Sequence, residues 1–103
     1  IENRPEDVRA FVNAWLQAVD YWLNNPEEAQ SILSARLNLP PESVSLDGLI
    51  LMTRKDNLNA MQPGQTTASI FYTANLYKDF YIRLGNITQP IDVNALIDPS
   101  FLR

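Results

Sequence analysis

Residues 4–23 read RPEDVRAFVNAWLQAVDYWL, and their apolar side chains fall at Val8, Phe11, Val12, Trp15, Leu16, Val19, Trp22 and Leu23. Offsets of three, four, seven and eight put these side chains on one stripe of an α-helix, whereas a half-buried strand needs strict alternation. Both tryptophans of the chain lie on the stripe, and each buries on the order of 150–250 Å² against a neighbour. The expectation is a mainly α fold of four to five helices, two of them long, with at most one short extended segment.

The opening helix starts where Asn3 or Arg4 precedes Pro5, whose fixed φ suits a first helical position, and Glu6 and Asp7 complement the positive end of the dipole. Asn24-Asn25-Pro26 ends it and restarts the chain: Asn25 is placed to cap, Pro26 takes the first position, and Glu28 completes a box-like N-x-x-E. Ala29, Ile32, Leu33 and Leu37 keep helical spacing up to Leu39, where Pro40-Pro41 forbids continuation, so an antiparallel-leaning helix pair is expected. Pro41-Glu42-Ser43-Val44 opens a short helix of about two turns that Gly48 stops. The apolar run from Leu49 to Thr53 fits either a buried extended segment or a helical piece.

Asp56-Asn57 offers a cap for one turn through Asn59-Ala60-Met61, and Gln62-Pro63-Gly64-Gln65 is the clearest loop signal. Thr66 or Thr67 is then expected to cap the second long helix, whose stripe is Ile70, Ala74, Tyr77, Phe80, Tyr81 and Leu84, ending at Gly85. Asp92 caps a last short helix through Val93, Leu96 and Ile97, which Asp98-Pro99 stops. No internal repeat or linker-like composition divides the chain. Residues 1–103 therefore read as a single helical domain or as a fragment of a larger protein.

At 103 residues and 46% hydrophobic content, the chain is long enough for one core and short for an enzyme with its own cleft. A net charge of -4 gives no general attraction to nucleic acid or anionic lipid. There is no Cys and no His, so thiolate chemistry, Cys-based metal sites and the commonest general base are all missing. The longest apolar run, Leu49-Ile50-Leu51-Met52, falls far below the roughly 18–20 residues of a membrane span. The chain opens Ile1-Glu2-Asn3-Arg4, with neither an initiator methionine nor an apolar leader, which fits a processed or excised piece.

Few side chains suggest chemistry. Glu27-Glu28 with Asp20 offer paired carboxylates for glycosidase-type acid–base work, but the ordinary reading is that carboxylates at a helix start complement the dipole. Arg54-Lys55 is the only adjacent basic pair, and a solvated turn is its ordinary reading against an anion grip. The aromatic run Phe71, Tyr72, Tyr77, Phe80 and Tyr81 is read first as core packing and only second as a stacking surface. Asn86-Ile87-Thr88 matches a glycosylation sequon, a triplet common by chance. The three glycines form no phosphate-cradling pattern.

Taken in order, the signals resemble the C-terminal third of the substrate-binding proteins of ABC importers in the nitrate, sulfonate, taurine and thiamine-precursor group. The phrases that carry the resemblance are Arg4-Pro5-Glu6-Asp7-Val8 with Ala10-Phe11, Ala14-Trp15, Ala18 and Tyr21-Trp22; Asn25-Pro26-Glu27-Glu28-Ala29 with Leu33, Leu37, Leu39 and Pro41-Glu42; Asp56-Asn57; and Leu84-Gly85, Ile87, Pro90, Asp92, Leu96 and Asp98-Pro99-Ser100-Phe101-Leu102. Together they cover nearly the whole chain.

The resemblance implies part of a two-lobe α/β periplasmic binding protein that captures a small anion or organic sulfonate and delivers it to an ABC permease. It implies ligand capture without enzymatic activity or a cofactor, with a periplasmic or lipoprotein-anchored location; that no metal and no nucleic acid is bound is expected from the ligand types and the charge instead. Of the positions present, it points only to Asn57 as a ligand-binding candidate, because the family's lobes and hinge lie upstream of this segment. The competing expectation, from the isolated length, is a free-standing helical interaction module that hides its stripes in a homo-oligomer or against a partner. Phe11, Trp15 and Trp22 are then either the centre of a small core or half of an interface.

Overall fold

The computed structural model describes residues 2–103. The chain is mainly helical, with α1 (Pro5–Asn24), α2 (Pro26–Leu37), α3 (Arg54–Ala60) and α4 (Ile70–Arg83). Single 3₁₀ turns stand at Pro41–Ser43, Val93–Leu96 and Pro99–Leu102, and no strand occurs among the described residues. These elements form two compact units, residues 1–54 and 55–103.

In the first unit α1 begins at Pro5, as its sequence signals require, and Arg4 pairs with Asp7 one turn on. Both side chains are well exposed, so the pair adds little stability. Successive residues turn about 100° around the axis, so the apolar stripe is wide and its two borders face different ways. Leu16 and Val19 are buried at 3% and 5% exposure, with Val8 and Val12 half-buried beside them. Phe11 and Trp15, on the other border, are 72% and 62% exposed, while Trp22 is half-buried. On the inner border the polar Arg9 and Asn13 are half-buried instead.

A single residue, Asn25, joins α1 to α2, and the two helices pack together. The expected capping box does not form. Asn25 makes no side-chain cap to α2; its Nδ2 donates instead to the Tyr21 carbonyl at 3.1 Å, and Asn24 Nδ2 donates to the Asp20 carbonyl at 2.7 Å. Both amides turn back to carbonyls one turn behind them, and in this orientation the Asn25 side chain makes no bond to the first N–H groups of α2.

Helix α2 stops at Leu37, two residues before the expected Leu39. Asn38 adopts a left-handed conformation at φ 56°, and the Leu39 N–H reaches back to the Ser34 carbonyl at 2.9 Å. This is a Schellman ending, with asparagine in the place glycine usually takes.

The two-turn helix expected after Pro41 is a single 3₁₀ turn. Val44 leaves the helical region to become buried, and the Gln30 side chain holds the Pro41 and Val44 carbonyls, so burial and that clamp replace further helical turns. Leu49 to Thr53 is neither strand nor helix, and Ile50 is 89% exposed. An extended segment needs a neighbour to share its ladder, and none of the described residues provides one.

Helix α3 begins at Arg54, the last residue of the first unit, which places Asp56 inside its first turn instead of at the cap. The loop from Gln62 is closed by Ser69, not by Thr66 or Thr67. Buried Ser69 donates its hydroxyl to the Gln62 carbonyl at 2.7 Å and accepts from the Tyr72 N–H, so it caps α4 and ties the loop at once.

Helix α4 ends at Arg83 in a second Schellman ending, with Gly85 left-handed at φ 77°: the Asn86 N–H bonds the Tyr81 carbonyl at 3.0 Å and the Gly85 N–H bonds the Ile82 carbonyl. Asp92 caps the next turn as expected, accepting from the Asn94 N–H at 2.9 Å, and Asp98 does the same for Ser100. Both turns are 3₁₀, and they carry the buried Val93 and Leu102.

Candidate functional site

Asn57 lies one turn into α3 and is half-buried, its carbonyl accepting the Met61 N–H at 3.0 Å. In the first unit, Arg54 Nη2 donates to Asn13 Oδ1 on α1 at 2.7 Å. The adjacent basic residues thus part ways: Lys55 is exposed, while Arg54 is half-buried and bonded to Asn13 within the first unit. Both lie in helix α3 and not on the solvated turn expected for the pair.

The carboxylates Asp20, Glu27 and Glu28 stand exposed near the α1–α2 corner. Glu28 takes a hydrogen bond from the Tyr21 hydroxyl, and this bond is the main reason the phenol's pKa lies above its ordinary 10.0; the nearby negative charge acts in the same direction. No three metal-binding side chains come together among the described residues.

What the first unit does present is an open apolar hollow. Trp15, Ala18, Val19 and Trp22 of α1 line it with Leu33 of α2 and with Leu46 and Leu51 from the chain before α3. It exists because α1 turns Leu16 inward and leaves Trp15 on the rim, while the Gln30 clamp carries the chain round so that Leu46 and Leu51 return to α1.

The aromatic run on α4 is not core. Helix α4 buries no residue fully, and Tyr77 is 61% exposed, with Ile70, Phe80, Tyr81 and Leu84 also open. Phe80 and Tyr81 meet edge to face at 5.4 Å between ring centres. Phe71, Tyr72, Thr73, Ala74, Asn75 and Lys78 are half-buried, and among them Asn75 Nδ2 bonds the Phe71 carbonyl at 2.9 Å and Lys78 donates to Asn75 Oδ1 at 2.8 Å. Within its unit α4 packs on the short 3₁₀ turn Val93–Leu96, and so narrow a neighbour covers only part of a helix. Tyr77 and Phe80 instead line a shallow hollow with Thr67, Thr73 and Leu76. Asn86 and Thr88 of the sequon are exposed just beyond the helix end.

Sequence reasoning missed Gln30, Ser69 and the Arg54–Asn13 bond. Only Ser69 carried a local signal, since serine ahead of an apolar run is a preferred cap. No protein-family model, curated protein or solved structure matches this chain.

Proposed function

We propose that the chain is the C-terminal helical part of an ABC-importer substrate-binding protein for small anions or organic sulfonates, and that it serves binding and delivery instead of catalysis. The observation that carries this reading is the outward-facing apolar surface of both units: Phe11 and Trp15 on α1, and Tyr77, Phe80 and Leu84 on α4. Helices that normally lie against a sheet leave such faces open when the sheet is absent from the segment, and contiguous apolar patches mark contact surfaces. In this role the segment braces the ligand-binding lobes, and Asn57 is its candidate ligand contact.

The test is the complete reading frame. Calorimetry on its product with nitrate, taurine and alkanesulfonates should give saturable binding of at least one. A frame without α/β lobes upstream, or a full-length protein inert to all three, overturns the reading.

A second reading, a module that pairs with a copy of itself, is favoured by one feature. Phe11, Trp15, Ala18 and Trp22 follow the 4-3-4 spacing of a two-helix seam. Light scattering across a dilution series separates the two, since self-pairing requires a concentration-dependent dimer.

A further inference from the structure

The turn after the Gln30 clamp contains Asp47-Gly48, a pairing that occurs once in the chain, and Asn-Gly does not occur at all. Asp47 is exposed, and among the described residues its carboxylate has no hydrogen-bond or ion-pair partner. Its own N–H donates to Ser45 Oγ at 3.0 Å, and the Leu49 N–H bonds the Leu46 carbonyl at 2.8 Å, so the turn closes around the pair without engaging the Gly48 N–H. Gly48 has φ 78° and is exposed, and a Cβ built there would meet nothing within 4 Å.

The other aspartates differ. Asp7 is paired with Arg4, and Asp20, Asp56 and Asp79 are locked in helices. Asp92 and Asp98 are spent as caps, and Asp98 precedes a proline, which has no N–H.

We propose that Asp47-Gly48 is a site of spontaneous isoaspartate formation in the folded protein. The Gly48 nitrogen gives up its proton and attacks Cγ of the protonated Asp47 carboxyl group. A new N–C bond forms, the C–O bond breaks, and one water leaves a five-membered succinimide. Water then opens the ring at either carbonyl. Attack at Cγ restores aspartate, while attack at the main-chain carbonyl routes the backbone through Cβ and Cγ and leaves the α-carboxylate as the side group. Mass and charge end unchanged, but an extra methylene now stands in the chain between Leu46 and Leu51, both of which line the hollow against Trp15 and Trp22.

The test is ageing of the folded chain at neutral pH and physiological temperature in heavy-oxygen water, followed by fragmentation mass spectrometry that distinguishes isoaspartate from aspartate. The expected result is heavy-oxygen uptake and isoaspartate at residue 47, absent at the other aspartates, at a rate matching a peptide of residues 45–50. A folded-chain rate lower than the peptide's by roughly tenfold or more overturns the proposal, since the turn would then be raising the barrier. Asp47→Glu, which closes only a larger and slower ring, should abolish uptake at that position. Persistent uptake there also overturns it.

Discussion

The side-chain nitrogen of Gln30 lies 2.6 Å from the carbonyl oxygen of Val44, and the same nitrogen lies 2.8 Å from the carbonyl of Pro41. Both amide hydrogens are thereby used, and a helix residue closes a turn eleven to fourteen positions further on. Removing the amide strands a part-buried carbonyl. Gln30→Ala should cost about 1–3 kcal/mol, the penalty for an unsatisfied buried polar group. Urea unfolding of the first unit, followed by tryptophan emission, checks this because Trp15 and Trp22 both belong to that unit. Gln30→Glu should be worse at neutral pH, where a carboxylate faces two carbonyls, and should recover as acid supplies a proton to donate.

The two borders of the α1 stripe should respond differently to truncation. Leu16, 3% exposed, should cost about 2–5 kcal/mol when changed to alanine. Phe11→Ser, at a position 72% exposed, should change stability by about 0.5 kcal/mol or less. Thermal unfolding by circular dichroism distinguishes them, and equal losses at both positions would contradict the orientation of α1.

Gly64 is constrained by space. A Cβ there would stand 2.9 Å from Ser69 Cβ, and Ser69 is buried with its hydroxyl committed to Gln62 and Tyr72. Gly64→Ala should therefore destabilise the second unit by about 1–3 kcal/mol through overpacking. Ser69→Ala should cost about 1 kcal/mol as a lost cap. Hydrogen exchange at the first amides of α4 should rise in both variants.

The Tyr21 phenol is held protonated by its bond to Glu28. Because its folded pKa is raised, stability is unaffected below the ordinary 10.0 and falls as pH climbs past it, where the unfolded chain releases the proton first. Glu28→Gln should lower the Tyr21 titration toward the ordinary value. Carbon NMR of the phenol ring, with Tyr21→Phe to assign the signal, measures the shift, and an unchanged titration would refute the Glu28 bond as its cause.

Much of the helical framework was readable from local chemistry. Pro5, the Asn25-Pro26 junction, Gly85 and Asp92 mark their boundaries because proline geometry, positive φ and Asx caps act within a few residues of where they stand. The misreadings arose where local options competed. Asn25 had two sets of backbone groups to serve and took the carbonyls behind it. Ser69, not either threonine, became the cap because it alone also reaches the Gln62 carbonyl. The candidate site was less readable: Asn57 rested on resemblance, the Arg54–Asn13 bond has no periodicity to betray it, and the hollow needs Leu46 and Leu51 beside the periodic stripe of α1.

For residues 4–23, sequence alone determined that a helix forms and that its apolar side chains share one broad arc. It did not determine which part of the arc is covered. That depends on neighbours brought in from far along the chain: Arg54 at Asn13, and Leu46 and Leu51 near Trp15 and Trp22. Helical periodicity sets where side chains point around an axis, whereas burial depends on what stands opposite, and only the tertiary structure decided that Leu16 turns inward while Phe11 stays in solvent.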